Sequence, residues 1–185
     1  MIARVGECQF KADPKGTHFD ALVDAIVSQQ LSVKAAATIY KRFLASFPES
    51  PPTPAHILTT SDEALRALGL SRQKSTYIKN LAEHVESGLL PIKTLHELED
   101  QEIIDALVAV KGIGPWTAQM FLMFRLGRLN VLPVLDLGIQ KAVGRAYGLE
   151  GLATPKQVQT IGAAWKPYCS IASWYLWRSL DLPAV

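Results

Sequence analysis

Apolar residues recur at helical spacing along nearly the whole 185-residue chain, and no segment alternates as a strand would. Phe19, Leu22, Val23, Ile26 and Val27 share one helix face, with Thr17 suited to the N-cap and Asp20 at the capping-box position. A second helix is expected from about Ser32 through Phe43, ended by a loop, 48–54, that holds four prolines. Ser61 caps a short helix that Gly69 closes, and another is expected over roughly Ser71 to Ser87. Asp100–Val108 reads as helix, Pro115 suits the first position of the next, and Gly127 closes it. Two or three more helices fill Leu137 to Leu180, with Thr154 and Pro155 as cap and first turn. The fold class is all-α. At 49% apolar residues the chain has the material for a full core, as one compact unit or as two small lobes sharing a cleft.

Charge is informative in its distribution rather than its total of +2. Glu97, Glu99, Asp100, Glu102 and Asp105 crowd one short stretch. Residues 106–149 then carry Lys111, Arg125, Arg128, Lys141 and Arg145 against a single acid, Asp136. A basic face around one isolated carboxylate suits a polyanionic partner, although an ordinary solvated surface has the same composition. Cys8 and Cys169 lie too far apart to suggest a metal pair and read as reduced thiols of an intracellular protein. The four histidines show no ligand spacing. With no signal-peptide core and no membrane-length apolar run, the expected location is the cytoplasm, with no membrane partner.

The segment LVAVKGIGPWTAQMFLMF, residues 107–124, places a Gly-x-Gly turn between two apolar helices. Gly112 and Gly114 permit a sharp turn, and without side chains they let the backbone N–H groups opening the second helix approach a phosphate. Such a turn also serves pure packing. Further along, RLNVLPVLDLGIQKAV (128–143) sets Pro133 three residues before Asp136 at the start of another helix. A hairpin, about 100–126, followed by Pro-x-x-Asp at 133–136 resembles the helix-hairpin-helix superfamily of DNA glycosylases. The stretches IVSQQLSVKAAATIYKRF (26–43), GLSRQKSTYIKNLA (69–82) and WKPYCSIASWYLWRS (165–179) resemble the corresponding parts of bacterial 3-methyladenine DNA glycosylase II. The resemblance implies one glycosylase core over 1–185, two-lobed, with the active site in the cleft between lobes and no N-terminal β domain ahead of it.

It also implies roles. Asp136 would be the catalytic carboxylate, stabilising the cationic sugar as the base departs. Read alone it would be a helix N-cap. Trp116 stands where bifunctional relatives carry a lysine that forms a Schiff base, so a monofunctional hydrolase without β-lyase activity is implied. Trp116, Met120 and Trp177 match base-pocket positions, with Met120 in place of the family's tyrosine; on local sequence alone the tryptophans would be core. Leu31 matches the wedge that fills the gap left by the flipped nucleotide, and Gln30 beside it would contact the orphaned base. Lys111, Gly112, Gly114 and Thr117 would contact DNA phosphates, and carbonyls near Val110 and Gly112 would hold Na+ or K+. No cofactor is required on this reading, and Cys169 alone near the C-terminus argues against an iron–sulfur cluster. The implied partner is double-stranded DNA containing damaged bases, bound by a monomer. Two alternatives stay open: a glycosylase for deaminated or oxidised purines, and a non-enzymatic DNA-binding helix-hairpin-helix module.

Overall fold

The computed structural model describes residues 1–183, and every regular element among them is helical. The described residues fold as two compact units, 14–121 and 1–13 with 122–183.

The 14–121 unit contains α2 (His18–Ser28), α3 (Val33–Ala45), α4 (Pro54–Thr59), α5 (Asp62–Ala67), α6 (Arg72–Glu86) and α7 (Asp100–Val108), and α8 (Pro115–Phe124) begins in it. Most helices start at the expected caps: Thr17, Ser32, Ser61 and Ser71 each accept a backbone N–H three residues on. One detail differs. The Asp20 carboxylate accepts the Tyr40 hydroxyl from α3, so a tertiary bond takes the group the capping box would have used. The proline-rich loop also yields a helix that apolar periodicity did not announce, α4, with Pro54 in its first turn and Thr53 as cap. Helix α6 packs against α2, α4 and α5 and is the centre of this unit. Its buried Ile78 and Leu81 join Leu22, Ile26, Phe43, Ile57 and Leu65, each worth roughly 1.5–3 kcal/mol of transfer free energy.

The other unit holds the one-turn α1 (Ile2–Val5), α9 (Leu137–Ala146), α10 (Pro155–Gly162) and α11 (Cys169–Leu180). Its core is Ile139, Ala142, Val143, Ala153, Val158 and Leu176, with Leu132, Val134, Trp165 and Trp177 packed against it. Helix α11 lies against α9 and α1. Both cysteines are free thiols. No described helix is long and apolar enough to cross a membrane.

Candidate active site

The hairpin joins α7 to α8 through residues 109–114, and its two glycines serve different ends. Gly112 has φ +89°, a backbone conformation closed to most side chains, and a Cβ there would lie 2.1 Å from Cδ2 of Tyr77. Gly112 therefore makes the turn and admits the tyrosine ring. A Cβ on Gly114 would meet nothing within 4 Å, so that glycine leaves open space before α8, where an anion could approach the helix N-terminus. Lys111 is exposed, and its backbone N–H is held at 2.9 Å by Asn80 Oδ1. Thr117 is buried, so any phosphate contact from it falls to its backbone N–H. Trp116 is 47% exposed and not a core residue; Met120, one turn on, is half-buried.

The turn after α2 lies in the same unit. Gln29 leaves helical geometry and Gln30 adopts φ 57°, alone among the described non-glycine residues in having positive φ. Leu31 is 39% exposed, which removes the reading of it as one more core leucine. The Gln29 side chain donates to the Gly112 carbonyl at 2.8 Å, joining this turn to the hairpin across 83 residues of sequence.

Asp136 and Trp177 come together in the other unit. Asp136 is the N-cap of α9, its Oδ1 accepting the Ile139 N–H at 2.8 Å. The same oxygen accepts the Trp177 indole N–H at 2.9 Å. Cap and candidate catalyst are thus one residue, and two donors fix the plane of its carboxylate. Gly138 makes this possible, since a Cβ there would press within 3.0 Å of both Asp136 Oδ1 and the Trp177 ring. Trp177 is half-buried against the core and lies near Phe124, with ring centroids 5.9 Å apart. The neighbours Leu135 and Leu137 are 58% and 69% exposed, so the carboxylate is presented on an apolar surface loop.

That loop is itself pinned. Ser170 Oγ accepts the Val131 N–H at 3.0 Å and donates to the Arg128 carbonyl at 2.6 Å. The Gln140 amide donates to the Val134 carbonyl at 2.9 Å. Sequence reading missed Ser170 and Gln140, along with Gln29, Lys74, Tyr77 and Asn80. Two signals were available: polar residues at otherwise buried helical positions for the first pair, and the i, i+3, i+6 spacing of Lys74, Tyr77 and Asn80 on α6.

The basic stretch is less uniform than its composition suggested. Arg125 donates to the Asp13 carbonyl at 2.8 Å, and both terminal nitrogens of Arg145 reach the Leu182 carbonyl at 3.3 Å. These two arginines tie down the ends of their own unit, and Arg145, Lys111 and Lys141 are all exposed.

Residues 23–167 match the family model described as HhH-GPD superfamily base excision DNA repair protein. The chain is 34% identical over 88% of its length to a putative DNA-3-methyladenine glycosylase of Bacillus subtilis, and spans 59% of that relative. Among solved structures it is similar to a DNA-3-methyladenine glycosidase from Bacillus halodurans, with TM-score 0.84 and 44% identity over 91% of this chain and 78% of that one. It is also similar to the Schizosaccharomyces pombe 3-methyladenine DNA glycosylase solved in complex with abasic DNA. There the TM-score is 0.83 and the identity 33%, over 98% of this chain and 89% of the other. With a family match that takes in the hairpin, the Asp136 loop and most of the helices around them, the chain belongs to the HhH-GPD superfamily of base excision DNA repair proteins.

Proposed function

We propose that this protein is a monofunctional DNA glycosylase that hydrolyses the N-glycosidic bond of alkylated, 3-methyladenine-type bases flipped from duplex DNA. The observation that carries the reading is the Asp136 carboxylate, held at one oxygen by the Ile139 and Trp177 N–H groups on an exposed apolar loop. The names of similar proteins supply the substrate class.

Each step uses a residue already placed. The hairpin backbone and the start of α8 take a phosphate, with exposed Lys111 adding charge. Leu31 fills the gap left in the stack by the flipped nucleotide, offsetting part of the unstacking cost, and Gln30 beside it contacts the orphaned base. Trp116 offers an exposed aromatic face, which suits a cationic base. Water then bonds to C1′ as the C1′–N bond breaks. The bond's electron pair leaves with the base and cancels its positive charge, and the water proton passes to Asp136. Because an alkylated base departs neutral, one carboxylate suffices where sugar hydrolases use two.

With tryptophan at position 116, no amine stands at the position from which the bifunctional enzymes' lysine attacks the sugar, so hydrolysis leaves an intact abasic strand. A monovalent cation fits as a further element of the hairpin. The carbonyls of Val110 and Gly112 already accept from the Ile113 N–H and the Gln29 amide, and each has a second lone pair for Na+ or K+. Such a cation would add positive charge where the phosphate binds.

Incubation with an oligonucleotide duplex carrying one alkylated base tests the reading. Strand breaks are expected only after hot alkali, with no borohydride-trapped covalent complex. A trapped adduct would overturn the monofunctional assignment. Release of hypoxanthine or 8-oxoguanine in preference to alkylated bases would overturn the substrate class.

A further inference from the structure

Lys74, on α6, is used by none of the steps above, yet its side chain bonds two backbone carbonyls of a distant segment. Its Nζ donates to the Val27 and Gln29 carbonyls, both at 2.7 Å. These are end-of-helix acceptors of α2, groups that an α-helix cannot satisfy internally, and α2 has no basic residue in its own last turn. One helical turn further along α6, the Tyr77 ring lies against Gly112, and one more turn on, Asn80 holds the Lys111 N–H. A single face of α6 therefore grips both the turn that carries Leu31 and the hairpin, while Gln29 links the two directly. Burial pushes the Lys74 ammonium below the ordinary lysine range. An ammonium placed in such surroundings needs acceptors of this kind nearby.

We propose that Lys74 is a positioning residue for the wedge: by closing the end of α2 it holds the Gln29–Leu31 turn in register with the hairpin, so that Leu31 stays projected. Gln30 is held at positive φ inside this turn, a conformation that persists only where the surroundings impose it. The Lys74 bonds on one side and the Gln29–Gly112 bond on the other are such surroundings. The consequence for excision rests on the wedge role proposed for Leu31; the effect on the turn does not.

The test pairs a structural readout with a catalytic one, both on the full chain. Lys74→Met keeps the length of the side chain but cannot donate. Hydrogen exchange across 28–32 is expected to accelerate about tenfold or more, with the peptides of α4 and α5 unchanged. Single-turnover excision from a fully paired damaged duplex should slow by up to about fivefold, no more than on loss of the wedge itself, and from the same lesion at a mismatched site by no more than about twofold. Combining Lys74→Met with Leu31→Ala should be no slower than the slower single variant, because both act through one wedge. Unchanged exchange in 28–32, equal losses on paired and mismatched substrates, or losses that multiply in the double variant would each overturn the proposal. If Lys74→Met fails to fold, Gln29→Leu replaces it, with the same pattern expected at smaller size and the same overturning results. Should Leu31→Ala alone show no preference between the substrates, the wedge reading fails, and the exchange measurement still decides for or against Lys74.

Discussion

The hairpin region and the Asp136 region solve opposite problems with opposite materials. On the proposed reading the hairpin offers backbone: Gly112 bends it, Gly114 leaves it bare, and the side chains of Gln29, from the turn after α2, and of Tyr77 and Asn80, from α6, brace it. The Asp136 region is built to offer one side-chain carboxylate in one orientation, and there the backbone serves only as scaffold. Gripping a phosphate tolerates small displacements, because the field of a helix terminus and its N–H groups is broad. Stabilising charge at a single carbon does not, since electrostatic catalysis depends on where the carboxylate already points before the reaction begins. Changes in the Asp136 region should accordingly register in kcat with binding preserved. Those in the hairpin region should register first in affinity or in dependence on duplex structure.

Asp136→Asn separates the two most sharply. Base release is expected to fall about 10³-fold or more, while affinity for damaged duplex stays within a few fold, read by single-turnover assay and equilibrium binding. Wild-type turnover would dissolve the distinction between the regions.

Trp177→Phe keeps most of the aromatic surface and removes only the N–H on Asp136. The expected loss is about 10- to 100-fold in kcat, the worth of one hydrogen bond to a charged group, with little change in KM. A change confined to KM would move Trp177 from orienting the carboxylate to holding the base alone.

Gly112→Ala attacks the other region through a φ of +89° and the Tyr77 ring. About 1–3 kcal/mol of stability should be lost in urea unfolding, and DNA affinity should fall about tenfold. Once the DNA is saturating, kcat should recover towards wild type. A persistent kcat defect at saturation would mean that the hairpin also sets the chemistry.

Leu31→Ala is the mildest. Excision from fully paired duplex should slow about fivefold, and less from mismatched sites where unstacking costs least. Equal losses on both would assign Leu31 to folding.

Much of this architecture was legible beforehand, for local reasons. Caps such as Ser32, Ser61 and Thr154, the stop at Gly69, and the Pro115 start of α8 act within a turn of the residues they govern. The prominence of Asp136 was legible too, as one acid in a basic stretch following a Gly-x-Gly turn. Composition alone did not reveal that Arg125 and Arg145 each also reach a distant backbone carbonyl.

By itself, then, the sequence determined the all-helical class, most helix limits, the hairpin turn and the N-cap position of Asp136. Each follows from periodicity, capping or spacing over a few residues. Tertiary structure decided how those parts are aimed. Trp177 meets Asp136 across 41 residues, Gln29 meets Gly112 across 83, and Lys74 meets the end of α2 across 45 and 47. A hydrogen bond is set by positions good to a few tenths of an ångström, and those exist only once the helices have packed.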